Sequence, residues 1–288
     1  MRKLVIAGVS VLAIAIAGAG ALVLLSPSAP ERDLTLTADA GHGDYLIRLG
    51  GCVACHTDVA RQGAYLAGGA PIESPYGRFV APNITSDPQY GIGDWTLAEF
   101  SRAMTRGERP EGGHYYPALP YEFYASLTDQ DVVDLYAALT NVPPVAQASG
   151  ENDLGFPFSM RFGLGAWKAA FFSPETFVAD PGRSEAWNRG AYIVNGPAHC
   201  GACHSPRSVV GAVDPSGPLS GGIGPDITPQ ALAQMGYDRE WMIEVLMGGV
   251  TPGFDVPGGD MALVISESTV HWTETDLDAV AAYLLDED

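Results

Sequence analysis

The longest apolar run in the chain extends from Leu4 to Leu25, with Ser10 as its only hydroxyl. As a helix rising 1.5 Å per residue it would reach about 33 Å, enough to cross the hydrocarbon core of a bilayer. Arg2 and Lys3 precede it and Glu31, Arg32 and Asp33 follow, a charge order that places the N-terminus in the cytoplasm and the rest outside. A cleaved signal peptide is the alternative. Its apolar core is usually about 7–15 residues long and ends in a small-x-small site, whereas Ser26-Pro27-Ser28-Ala29-Pro30 puts proline there. The expectation is therefore a membrane anchor over residues 1–28.

Beyond the anchor, apolar positions recur at helical spacing and the pattern repeats. Leu127 to Leu139 aligns without a gap on Trp272 to Leu284. Each segment begins with a threonine, Thr128 or Thr273, followed three residues later by Asp131 or Asp276. That pattern predicts an N-cap and a helix start, with Leu127 or Trp272 stapling onto Val132 or Leu277. Further helices are expected from Thr96 and Asp238. A Gly-x-Tyr, Gly43 to Tyr45 and Gly190 to Tyr192, precedes each cysteine motif and is expected to open a helix. Pro82-Asn83-Ile84-Thr85 and Pro225-Asp226-Ile227-Thr228 are a further matched pair. Landmarks repeated in one order imply a duplicated unit, at residues 38–145 and 184–288. Strand-like alternation is absent, so each unit reads as all-α. Residues 146–183 between them are rich in Pro, Gly and Phe and read as a linker packed across both units.

All four cysteines of the 288 residues lie in two copies of one motif, Cys52-Val53-Ala54-Cys55-His56 and Cys200-Gly201-Ala202-Cys203-His204. Two thiols three positions apart reach both vinyl groups of a haem, and the histidine that follows is placed under the iron. A thioredoxin-like Cys-x-x-Cys needs no trailing histidine, and a four-cysteine zinc site leaves both histidines without a role. The expectation is two covalent haem c groups held by Cys52, Cys55, Cys200 and Cys203, with His56 and His204 as axial ligands. The formal charge of −19 excludes nucleic acid as a partner and suits a basic redox partner.

A thioether opposite the histidine raises the reduction potential and suits electron transfer, while an open position suits small-molecule chemistry. In the second unit Met261 is the candidate, because Pro257-Gly258-Gly259-Asp260 reads as a loop. The first-unit counterpart, Gly112 to Tyr121, contains Leu119 and no methionine. The candidates there are Met104, His114, Met160, or no ligand. Arg78 and Arg189 are candidate propionate partners, and Tyr115, Tyr116 and Tyr121 read as buried aromatics.

Asn188-Arg189-Gly190-Ala191-Tyr192 leading into His199-Cys200-Gly201-Ala202-Cys203-His204, together with Ala81 to Thr85, Tyr116 to Tyr121 and Trp167 to Phe172, resembles the cytochrome c subunits of membrane-bound alcohol and aldehyde dehydrogenases. The likeness covers nearly everything after residue 38. It implies two tandem class I cytochrome c domains behind a transmembrane helix. It also implies an electron-transfer subunit, not itself an enzyme, on the periplasmic side of the inner membrane. Electrons would come from a periplasmic dehydrogenase and pass to a quinone, cytochrome or oxidase of the respiratory chain. The better-known members carry three haems, and many have methionine where this chain has Leu119. Two other readings stay open: a dihaem redox enzyme of peroxidase or thiosulfate-oxidising type with an open first haem, and a free-standing carrier.

Overall fold

The structure, a computed structural model, describes residues 31–288. Twelve α-helices occur among them. In the first half these are α1 (Ala40–Leu49), α2 (Cys52–His56), α3 (Leu97–Arg106), α4 (Tyr121–Tyr124) and α5 (Asp129–Asn141). Helix α6 (Leu164–Phe171) lies in the connecting segment. The second half holds α7 (Glu185–Asn195), α8 (Gly201–His204), α9 (Pro229–Gln234), α10 (Arg239–Leu246), α11 (Gly259–Glu267) and α12 (Glu274–Leu285).

The long helices begin where side-chain oxygens satisfy first-turn N–H groups that have no intrahelical partner. Thr128 accepts from the Asp131 N–H at 3.0 Å, and Thr273 from the Asp276 N–H at 3.2 Å. Thr96 and Glu99 form a reciprocal capping box at the start of α3, and Asp238 caps α10. In each half the first and last helices cross at a glycine. A Cβ on Gly43 would lie 2.0 Å from the Asp134 carbonyl oxygen, and one on Gly190 would lie 1.9 Å from that of Ala279. These glycines therefore do not open their helices. They sit within them, at the point where backbone meets backbone.

Two expectations are corrected. The body is not all-α: β1 (Pro71–Ser74), β2 (Gly77–Val80) and β3 (Asp153–Leu154) form an antiparallel sheet in the order β1-β2-β3. Ser74 pairs with Gly77 around a two-residue turn, and Gly77 adopts φ 121°, with β3 so close that a Cβ would meet the Asp153 oxygen at 2.3 Å. Helix accounts for 42% of the described residues. The transmembrane helix is the second correction. No helix among the described residues is long and apolar enough to cross a membrane. The longest, α5, has 13 residues, about 20 Å at 1.5 Å per residue against the roughly 30 Å required. The apolar run of residues 4–25 lies outside the described residues.

The connecting segment packs on both halves. It contributes β3 to the sheet, Trp167 donates its indole N–H to the Val210 carbonyl at 2.8 Å, and Phe177 packs edge-on against Tyr192. One buried apolar cluster runs through both halves, from Leu46, Ile47 and Val132 to Ile193, Leu277 and Val280.

A reciprocal pair of tyrosines joins the halves. Tyr45 accepts from the Thr273 N–H at 3.2 Å and donates to Asp276 at 2.7 Å; Tyr192 accepts from the Thr128 N–H at 3.1 Å and donates to Asp131. Each hydroxyl thus completes the cap of the other half's last helix, the self-complementary pattern of a two-fold interface. The symmetry is imperfect. Arg189 forks onto Asp276 at 2.7 and 2.8 Å, whereas His42, at the matching position, lies 3.8 Å from Asp131 and 2.9 Å from Asp134. Burial alone would raise the Asp276 pKa, but the Arg189 and Tyr45 hydrogen bonds outweigh it and hold the carboxyl below its ordinary range. Tyr192→Phe is expected to destabilise more than Tyr45→Phe, by about 3 against about 1 kcal/mol, because Asp276 keeps its arginine fork while buried Asp131 is left with His42 at 3.8 Å. Denaturant midpoints of the two holoprotein variants check this; equal losses would contradict it.

Candidate functional site

The two cysteine motifs occupy matched surroundings. In each, the histidine ring donates its Nδ1–H to a proline carbonyl: His56 to Pro82 at 2.7 Å, His204 to Pro225 at 2.8 Å. These prolines open the repeated Pro-x-Ile-Thr segments, whose role was not legible in the sequence. Asn83 and Asp226 then accept from both the N–H and the hydroxyl of Thr85 and Thr228, closing a turn that fixes the carbonyl. With Nδ1 committed as a donor, Nε2 keeps its lone pair for a metal. Burial lowers the His56 pKa and keeps that imidazole neutral.

The loop after each motif is stitched in the same way. Thr57 and Ser205 accept from the N–H groups of Leu66 and Leu219, and both leucines adopt positive φ, 57° and 62°. Gly68 and Gly221 donate to the carbonyls of His56 and His204. A Cβ on Gly224 would come within 2.7 Å of the His204 ring, so only glycine leaves this face of the imidazole clear.

All four thiols are unpaired, Cys55 and Cys203 exposed and Cys52 and Cys200 half-buried. Burial pushes Cys52 and Cys200 up to about 12, so they stay protonated at neutral pH. A redox-active Cys-x-x-Cys works with a thiol nearer about 7. Paired thiols on one helical turn and a histidine whose Nδ1–H is tied to a carbonyl, leaving Nε2 free, suit covalent haem attachment at each motif. The motifs lie close together: the Cys55 thiol is within electrostatic reach of both Cys203 and Asp260.

The remaining candidates separate. Met261 lies in the first turn of α11 rather than in a loop, half-buried against the core and next to Asp260, which faces both motifs. Met104 lies on α3, half-buried against the core, as does Leu119 in its loop. His114 points to the connecting segment: its Nδ1 lies 3.1 Å from Lys168 Nζ, and it lines a cavity of about 380 Å³ with Arg109, Arg161 and Phe162. Met160 is exposed. Arg78 pairs with Asp153 at 2.5 Å on the surface, and Arg189 with Asp276.

Glu122, on α4, carries a buried oxygen without a hydrogen bond, 3.6 Å from Arg207 of the other half. Burial raises its carboxyl from the usual 4.5 to about 7, against the pull of Arg207. Because the folded chain holds this proton more tightly than the unfolded one, stability falls as pH rises through that interval. Glu122→Gln removes the dependence. The variant is expected to match the parent at pH 5 and to exceed it by on the order of 2 kcal/mol at pH 8, read from denaturant midpoints.

No family model matches the chain. It is 39% identical to a dihaem c-type cytochrome of Cereibacter sphaeroides, over 99% of this chain and 98% of that protein. It is 40% identical to the cytochrome c subunit of a quinone-dependent alcohol dehydrogenase of Gluconacetobacter polyoxogenes, over 88% of this chain. Against the cytochrome subunit of a fructose dehydrogenase of Gluconobacter japonicus it is 39% identical, over 92% of this chain. The chain spans about half the length of these two subunits, 56% of each.

Proposed function

Since the chain belongs to the dihaem c-type cytochromes, with two covalently bound haem c groups, we propose that it takes electrons from a dehydrogenase and hands them to an acceptor of the respiratory chain. Cys52 and Cys55 hold one haem, Cys200 and Cys203 the other, and His56 and His204 are their axial ligands. The units 38–145 and 184–288 carry one haem each, on the periplasmic side of the inner membrane. Met261 is the sixth ligand in the second unit, and Met104, the methionine on α3, fills that place in the first.

Each haem supplies an iron that changes oxidation state by one electron. What the chain does is hold that iron. The Pro82 and Pro225 carbonyls fix the tautomer and rotation of the ligand histidines, and polarise the rings through their Nδ1–H groups. The apolar cluster around Leu46, Leu127, Tyr192 and Trp272 keeps water from the inner sides of the sites. The observation that carries this reading is the twofold occurrence of one site: paired thiols followed by a histidine tethered through Nδ1 to a proline carbonyl. The names of the relatives support a dehydrogenase as electron donor. The net charge of −19 favours a basic docking face on it.

Mild extraction from the native organism, followed by affinity capture of the haem chain, tests the partner. Co-purification with a dehydrogenase whose substrate reduces both haems is the expected result. Capture of the chain alone, with no dehydrogenase reducing it, would favour the free-standing carrier. Carbon monoxide binding by the reduced protein would favour the enzymatic reading, which Leu119 motivates.

A further inference from the structure

The two halves share the tethering of their motif histidines, and they differ at the residue before the first cysteine. In the first half it is Gly51, at φ 62°; in the second it is His199, at φ 41°. Left-handed backbone suits glycine, and a side chain there costs on the order of 1 kcal/mol. The partner surface differs in step. Aligning Thr128 on Thr273 sets Phe123 and Tyr124 opposite Ser268 and Thr269. A Cβ on Gly51 would meet only the Ser268 side chain, at 3.8 Å. His199 instead packs its ring edge-on against Tyr124, centroids 5.5 Å apart at 81°, with Phe123 at 6.5 Å. Its Nδ1 donates to the Pro197 carbonyl at 2.9 Å, which fixes the ring's rotation.

Small residues thus suffice for this contact on one side of the pseudo-two-fold axis, so the fold does not require the rings on the other. Their position is distinctive. Tyr124 is only 7% exposed and stands beside the Cys52 and Cys55 thiols of the first motif, while His199 is bonded directly to Cys200 of the second. The backbones of the two pre-motif turns also meet: a Cβ on Gly50 would lie 3.4 Å from the Pro197 oxygen and 3.7 Å from Cys52 Sγ.

Resting on the reading that both motifs carry haem, we propose that the Tyr124–His199 ring pair is the packed bridge through which the two haem sites exchange electrons. The step is a single-electron transfer. Ferrous iron at one site is oxidised, ferric iron at the other is reduced, and no bond is made or broken. Both are positioning residues; neither ligates iron. The edge-on pair of rings keeps packed, polarisable atoms between the sites, where the opposite side has only small side chains.

The test is the rate at which an electron redistributes between the haems after flash photoreduction of the full holoprotein. His199→Gly and Tyr124→Thr, which copy the opposite side, are expected to slow it about tenfold by removing the packed rings. Tyr124→Phe, which keeps the ring, should retain the parental rate. Both slow variants should hold two haems with unchanged potentials, and His199→Gly should unfold at or above the parental temperature. Parental rates in His199→Gly and Tyr124→Thr, or slowing only together with shifted potentials and lost stability, would overturn the bridge. Fewer than two haems in the parent would instead overturn the reading beneath it.

Discussion

Replacing Gly190 with alanine is expected to lower the stability of the holoprotein by about 3 kcal/mol or more, the upper range for overpacking in a closely packed core. The added Cβ would sit 1.9 Å from the Ala279 carbonyl oxygen and 2.8 Å from the Tyr283 Cβ. Both belong to α12, and backbone cannot rotate aside as a side chain can. The helices must separate, and the buried residues on either side, Ile193 and Val280, lose their packing. Gly43→Ala should behave alike against Asp134. An unobstructed glycine such as Gly163, where an added Cβ would have nothing within 4 Å, serves as the control. Thermal unfolding followed at the haem band checks the prediction. A Gly190→Ala midpoint equal to that of the control would show that the crossing is looser than described.

The second large effect concerns Met261. Thioether ligation by Met261, as proposed, would make the second haem low-spin and raise its potential. Met261→Leu keeps the volume and the apolar character but removes the sulfur. The second haem is therefore expected to drop in potential by on the order of 100 mV, within the roughly 0.8 V range that axial ligands command. The reduced variant should also gain a carbon monoxide adduct at one haem. Spectroelectrochemical titration reads both. An unchanged potential would move the ligand elsewhere and leave Met261 as a core residue in the first turn of α11.

What the sequence made legible was local. Thr128, Thr273, Thr96 and Asp238 could be read as helix starts because a cap is completed within three residues. The cysteine motifs could be read because their chemistry is contained in five positions. The contacts that give the site its geometry are long-range. His56 finds its carbonyl 26 residues away at Pro82, Tyr45 finds Asp276 across 231 residues, and β3 arrives from the connecting segment. The repeat pointed to Pro82 and Pro225, but a matched pair of segments does not say what it touches. The sheet escaped because strands of four and two residues are too short to show alternation. Gly258-Gly259-Asp260 read as loop, yet α11 begins at Gly259, where the helix has no side-chain cap to announce it.

Haem stoichiometry tests the central claim most directly. The denatured, acid-acetone-washed chain should retain all of its porphyrin, with a pyridine haemochrome absorbance and an intact mass that both correspond to two haem c groups per polypeptide. A colourless product with the mass of the bare polypeptide, or a chain carrying a single haem, would contradict the account.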